Sequence, residues 1–582
     1  MKKRLINCFL IACCFCFNSF SQELDLPLGR LYNQYYEQEI YAIDSITFHT
    51  SFRPFNSEEL FREVYPESKF NLTRVGIDNK FKRFINVVGY DDMLRFDEHG
   101  FIKATTIDTT IYNYNNEIAR NEKKFVPRKF YIAANPLFRM EAGYEMLRGK
   151  IPGEKVNLNG NSNFITYNMR GVELKANIGK KVSLYTSFME NQAKFPYLEG
   201  LHTRAIQAAP GEGKTKNFKG TGFDFATAIG YLSYSPNKYF NVKLGHGKHF
   251  IGDGYRSLLL SDNAFNYPYV QFTTKFWKIK YVNIFSELQA NVSSDEGFDR
   301  GVDRKLANFN YVTAELTPWM EIGVFEGIIW RRTTPEGNTA FDYNFLNPII
   351  GVRAFQKNLD NKRIYGLNYR FSIPKNMVIY GQFVVDQLKG GFSSADLKAG
   401  FQVGYKYYKA FGVDNLNLQV EFNRVRPYTY SGKDTIINFS HYSQPLAHSL
   451  GANFTEVLSI VNYRVKRFYG EWKLSWYQQG LDYIDRGTAY FNSGSNIFVP
   501  QDFFGTNDVK FGQGVSINVI KNEMRAGFIL NPKINLCLEG KIQNRFYKFD
   551  NDVSVQSHII SLGLISNLFN QYYDFTLGPI RF

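Results

Sequence analysis

The stretch NVKLGHGKHFIGDGYRSLLLSDNAFNYPYVQFTTKFWKIKYVNI, residues 241–284, decides the fold. Two alternating runs flank a middle too polar and glycine-rich for an ordinary strand. Gly245, Gly247, Gly252 and Gly254 permit close backbone approach. Among them stand His246, Lys248, His249, Asp253 and Arg256, followed by the loop Ser261, Asp262, Asn263. The aromatic run Phe265, Tyr267, Tyr269, Phe272, Phe276, Trp277 then closes the segment. A long membrane β-hairpin with polar groups turned into a lumen has this pattern. A solvated hairpin whose glycines serve only its turns is the plainer alternative.

The rest of the chain favours the membrane reading. Aromatic residues make up 17 %, with 39 Tyr and 54 Phe, more than a soluble core needs. Mean hydropathy is nevertheless negative. An apolar lipid face averaged with a polar lumen gives that combination. From about Lys129 the period becomes two: Phe138, Met140, Ala142 and Tyr144 alternate with Arg139, Glu141, Gly143 and Glu145. Similar runs begin at Val172, Leu416 and Ile534. At roughly 25 residues per strand and connection, the region supplies about 18 strands. The expectation is an all-β, transmembrane, antiparallel outer-membrane barrel over residues 126–582. Polar stretches near 195–222, 290–308, 331–345, 427–450 and 480–512 read as extracellular loops. The end of the chain, with Tyr573, Phe575 and Leu577 on one face, reads as a terminal aromatic strand of the kind that barrel assembly recognises.

The N-terminus reads as a signal peptide, residues 1–21. Lys2, Lys3 and Arg4 precede the apolar Leu5 to Phe17, and Ser19 and Ser21 bracket a small-x-small cleavage site. A lipoprotein signal ending at Cys13 is the rival. Residues 22–125 are charge-dense and weakly alternating, with short helices expected at 29–42 and from Ser57. They read as a small α or irregular segment, periplasmic or plugging the barrel. Cleavage would leave Cys537 as the one cysteine of 5, so no intrachain disulfide forms. It would also lower the net charge from +15 to +12. An exported basic chain suits anionic partners such as lipopolysaccharide phosphates or acidic glycans. Nucleic acid is not expected as a partner.

Enzyme motifs are weak. AAPGEGKT at 208–215 fits a loose phosphate-loop pattern but lacks the preceding buried strand and following helix. No G-x-S-x-G or H-E-x-x-H occurs, and no cofactor or metal is expected. His246 and His249 are three apart, so on a strand their rings point to opposite faces. Polar residues inside apolar runs, Glu326, Arg331, Arg332, Asn347, Arg353, Gln382 and Asp386, belong on a lumen side. There they either brace the wall as ion pairs or hold a polar ligand. Arg426, Tyr428, His441, Gln444 and His448 mix rings with amide, imidazole and guanidinium donors, as sugar recognition does. The candidate glycan contacts are thus His246, Lys248, His249, Asp253, Arg256, Glu326, Arg331, Arg426, Tyr428, His441, Gln444 and His448.

The segments GHGKHFIGDGYRSLLLSDNAFNYPY (245–269), FEGIIW (325–330), FLNPII (345–350), NRVRPYTYS (423–431) and HYSQPLAHSLGANF (441–454), with TSFRPF (50–55), carry a resemblance. Together they resemble the RemB-type gliding-motility proteins of the Bacteroidota. More remotely, the strand pattern is similar to the Wzi capsule-assembly family of outer-membrane barrels. The resemblance implies a non-enzymatic outer-membrane factor that supports gliding or retains a surface polysaccharide, capsule or slime. A diffusion channel, or a docking partner of gliding or secretion machinery, are the alternatives.

Overall fold

The computed structural model describes residues 25–26, 28, 37–38, 40–41 and 49–56, then 130–582 except 153–157, 179–180, 291–302, 335–336, 339–346, 348, 351–360, 374–375, 388–396, 486–488, 503–508, 532–535, 551–552, 567–574, 576–579 and 582. Arg353 and the helix expected from Ser57 lie outside these residues.

Eighteen antiparallel strands form a closed barrel. They are β1 (Phe130–Gly149), β2 (Ser162–Ile178), β3 (Val182–Lys194), β4 (Gly222–Asn237), β5 (Phe240–Gly247), β6 (Tyr267–Phe276), β7 (Ile279–Gln289), β8 (Arg304–Thr317) and β9 (Met320–Arg331). The second half comprises β10 (Asn361–Ile373), β11 (Met377–Gln387), β12 (Lys398–Tyr407), β13 (Leu416–Val425), β14 (Phe454–Val465), β15 (Phe468–Leu481), β16 (Val515–Asn531), β17 (Leu536–Phe549) and β18 (Ser554–Ser566). Each strand pairs with its sequence neighbours, and β18 closes on β1 from Ser566↔Phe138 to Val555↔Gly149. Short turns join the strands at one end and long connections at the other.

The faces are inverted relative to a soluble protein. On β1, Met140, Tyr144 and Met146 are 56–57 % exposed, whereas Arg139, Glu141 and Glu145 are at most 8 % exposed. The same holds for Leu232, Leu244, Val324, Val403, Met524 and Ile560 outside, against Lys175, Asn310, Arg370 and Glu456 inside. The outer surface is the apolar belt that a bilayer covers, and a charge there would cost about 2–4 kcal/mol.

The lumen is packed by the chain's own connections. Residues 248–266 turn inward and bury Leu258, Leu259 and Leu260 against Phe309, Phe325, Ile364 and Val384 of the wall. Residues 426–453 join them through Tyr430, Phe439, Leu446 and Leu450. The expected extracellular loop at 427–450 is therefore largely a lumenal filling, because its apolar residues find no other core. Helix α1 (Tyr197–Ile206) buries Glu199, which pairs with Arg545 on the inner face of β17.

The described N-terminal residues also lie inside. Phe52–Arg53 pairs antiparallel with Phe250–Ile251. Ser51 donates to Glu321, and Arg53 lies 2.6 Å from Glu37, which also meets Lys406 at 2.6 Å. Burial would raise the Glu37 carboxyl, but those two cations outweigh it and hold it at about 2. Asp25 is bound by Lys243 at 2.6 Å.

The chain end departs from expectation. The closing strand is β18, and β1 is already paired on both sides, so no sheet edge remains for a further strand. Phe575 instead enters the lumen, stacked on His202 with centroids 4.1 Å apart. Ile580–Arg581 pairs parallel with Tyr483–Ile484.

Tyrosines lie across glycines inside the wall. A Cβ on Gly404 would come within 2.1 Å of the Tyr380 ring. That ring is held by its hydroxyl, which donates to Glu421 and accepts from Gln419, both at 2.8 Å. Gly404→Ala is expected to lower stability by about 1–3 kcal/mol. Urea unfolding in lipid vesicles checks this; an unchanged midpoint would show that Tyr380 moves freely.

Candidate functional site

The glycine-rich middle of the opening stretch is the keystone of the lumen. Gly252 has φ 131°, and a Cβ there would strike the Gln382 amide at 2.2 Å. A Cβ on Gly254 would meet a Glu421 oxygen at 2.6 Å. Without side chains at these points, the backbone drops onto the wall. The Tyr255 and Arg256 amides then donate to Glu421 at 2.8 and 3.2 Å, and the Leu258 amide to Gln382 at 2.7 Å.

Most of the candidate glycan contacts are spent in this lattice. Arg256 donates to Glu456 at 3.0 Å, and His448 meets the other Glu456 oxygen at 2.8 Å. Asp253 accepts from Thr50 at 2.5 Å, and burial followed by the charge of Glu321 pushes its carboxyl up. Glu326 accepts from Asn310 at 3.3 Å. The Tyr428 hydroxyl donates to Asn492 O at 2.7 Å. Gln444 accepts from the Gly211 amide at 2.6 Å and donates to Glu212 O at 2.8 Å. All six are at most 5 % exposed.

Two histidines complete it. His249 accepts from the Tyr267 hydroxyl and donates to Gln271, each at 3.0 Å, a tautomer set by these partners. His441 accepts from the Gln289 amide at 3.0 Å and donates to Asn266 O at 3.1 Å. Burial drives both imidazoles down to about 3. His246 sits in the outward row with Leu244, beside Ala228 O at 2.9 Å. His249 lies past the end of β5, so its inward position comes from the connection turning into the lumen and not from strand spacing. Lys248, Arg331 and Arg426 remain half-buried. Arg331 pairs with Asp434 at 2.6 Å, and Arg426 donates to Leu397 O at 2.8 Å.

A cavity of about 110 Å³ lies in the lumen toward the long connections. Tyr167, Tyr185, Tyr231 and Tyr269 form its aromatic wall, with Tyr185 and Tyr231 stacked at 5.4 Å. Asn191, Thr227, Glu212, Asn266 and Lys248 supply its polar edge. Thr227 donates to Glu212, whose carboxyl burial raises, and Lys248 donates to Gly211 O at 2.5 Å while burial lowers its ammonium. Asp25, Leu28 and Pro54 close one side. Of the twelve candidates only Lys248 lines it. Glu212 and Gly211 come from the false phosphate-loop segment, which is followed by the short strand Lys216–Phe218 rather than a helix. The tyrosines sit singly on four strands, so no local pattern announces them.

Among the described residues, His49, Glu315 and Glu321 present donor atoms within 4.8 Å of one another, close enough to share a metal ion. Arg370 lies 3.0 Å from Glu321, so positive charge already stands beside this group.

No family model matches the chain, and no curated protein does. Among solved structures it is similar to Wzi of Escherichia coli, an outer-membrane protein involved in group 1 capsule assembly and a carbohydrate-binding β-barrel. That similarity has 12 % identity over 94 % of this chain and 100 % of the other, with TM-score 0.49. It is also similar to OccK3 (OpdO) of Pseudomonas aeruginosa, at 10 % identity over 75 % and 96 %, with TM-score 0.37. OprD of the same organism gives the same figures: 10 %, 75 %, 96 % and 0.37. The fold assignment itself rests on the strand pairing.

The buried histidines predict acid sensitivity. Their folded values lie near 3 against an ordinary 6.5, so the unfolded chain binds more protons between these limits. Stability is then complete above pH 6.5 and falls by about 1.4 kcal/mol per pH unit per histidine toward pH 3. Heat-dependent gel mobility between pH 7 and 4 should show this fall, with a shallower slope in a H249N/H441N variant. Equal slopes would place the acid response elsewhere.

Proposed function

We propose that the chain is a non-enzymatic outer-membrane barrel, exported by its N-terminal segment, that retains a surface polysaccharide, capsule or slime, in support of gliding motility. The observation that carries this reading is the tyrosine-walled cavity in the lumen. Stacked rings offer faces to the CH groups of a sugar, while Asn191, Thr227, Glu212 and Lys248 offer partners to its hydroxyls. Arg331 and Arg426, half-buried at the long-connection end, would meet the chain of an acidic glycan outside. His249, Asp253, Arg256, Glu326, Tyr428, His441, Gln444 and His448 would hold that architecture rather than touch sugar directly.

The packed lumen favours attachment over diffusion. Leu258, Leu259, Leu260 and Leu446 are fully buried across the middle of the barrel, where a pore would need water. Docking to gliding or secretion machinery remains the second route to the same phenotype.

In a strain lacking the chain, polysaccharide is expected to move from the cell-bound to the released fraction and return on complementation. A Y185L variant, which breaks the ring stack, should weaken binding about threefold to tenfold, the range of one aromatic pair. Isothermal titration with the released glycan measures it. Unchanged retention in the deletion strain sinks the attachment reading and leaves docking. Steady single-channel conductance in planar bilayers would support the channel instead.

A further inference from the structure

One end of the barrel carries an unusual surface. Adjacent short turns, β4–β5 and β6–β7, are joined by the Lys275 amide donating to Tyr239 O at 2.8 Å. The β8–β9 turn is tied on by the Glu315 amide donating to Lys278 O at 3.0 Å. Across this continuous rim Tyr239, Phe276, Trp277 and Trp319 are 43, 69, 82 and 53 % exposed.

Trp277 has φ 54°, in the left-handed region. The two-residue β6–β7 hairpin turn requires that conformation, and the indole it carries is the most exposed of the four rings. Lysines stand over these rings: Lys238 lies 5.1 Å from the Tyr239 centroid and Lys278 5.7 Å from that of Trp277. Among the described residues no carboxylate pairs with Lys238 or Lys278. Lys181, Lys466 and Arg467, exposed at other turns of the same end, extend the positive charge. The exposed rings and the unneutralised ammoniums have one common explanation: a surface apolar on one side and anionic on the other.

We propose that this rim is a binding site for anionic phospholipid headgroups. The rings of Tyr239, Phe276 and Trp277 sit at the glycerol level, and Lys238 and Lys278 reach the phosphates. Because short turns face the periplasm in outer-membrane barrels, the lipid belongs to the inner leaflet. The proposal rests on the membrane-spanning reading of the barrel but not on its glycan.

The test reconstitutes the full chain in phosphatidylcholine vesicles with spin-labelled phosphatidylglycerol or phosphatidylcholine, and compares the motionally restricted fractions by electron spin resonance. Phosphatidylglycerol should be preferred about fivefold at low salt, one lysine's attraction to an anionic surface. The preference should vanish at 1 M salt, where the Debye length is about 3 Å. It should also vanish in K238Q/K278Q, while K466Q/R467Q, on the far side of the rim, keeps it. Heat-dependent mobility confirms that each variant is folded. Equal restriction of both lipids by the unmodified chain overturns the proposal, as does a preference that survives K238Q/K278Q. Competition by lipid A phosphates alone, without phosphatidylglycerol binding, would also overturn it. If neither lipid is restricted, the membrane-spanning reading itself fails.

Discussion

A closed ring of eighteen strands encloses more space than the side chains of its own wall can fill. Everything inside this molecule answers to that constraint. Water can fill the space, as in a pore, or the chain can. Here the long connections and the N-terminal residues do so, and they bring both apolar and charged groups with them. The apolar ones, Leu258 to Leu260 with Phe439 and Leu446, form a core where a soluble protein would have one. The charged ones must be matched within a dry interior, since one orphaned buried charge costs more than its pairing returns.

That explains why inward acids act as hubs. Glu421 collects two backbone amides, a tyrosine hydroxyl and the Asn423 amide. Glu456 collects Arg256, His448, Asn423 and Ser475. Each hub ties an inserted connection to two or more strands, so filling and wall become one structure. The neutral His249 and His441 obey the same economy: each ring nitrogen has one partner and no charge to compensate.

How much of this was legible in the sequence follows from range. Alternation over ten residues is local, so the barrel, its lipid face and its inward residues could be read from Met140 against Glu141 or Leu418 against Gln419. Gly252 and Gly254 could be recognised as sites of close approach, because nothing else fits a stretch that polar. What they approach could not, since Gln382 and Glu421 lie more than a hundred residues away. For the same reason Arg256 and His448 suggested ligand contacts: rings and donors that bind sugar also bind a distant glutamate. The C-terminal aromatics alternate as a strand should, but only the count of strands already closed decides that Phe575 has no edge to join.

The cavity shows the positive side of that distance. Its wall draws Tyr167, Tyr185, Tyr231 and Tyr269 from β2, β3, β4 and β6, and its closure draws Asp25 and Pro54 from the N-terminal residues. The Asp25 amide donates to the Tyr231 hydroxyl at 2.7 Å, while the Asp25 carboxylate holds Lys243 on β5. The ring that would face a sugar is thus oriented by the same residue that pins the N-terminal segment to the wall. An occupant that displaced Asp25 would loosen Tyr231 at the same moment, whereas one that fits beneath it would find the stack already set. Filling the barrel and shaping this cavity are therefore a single act of packing, and the segment with the weakest sequence pattern does a share of both.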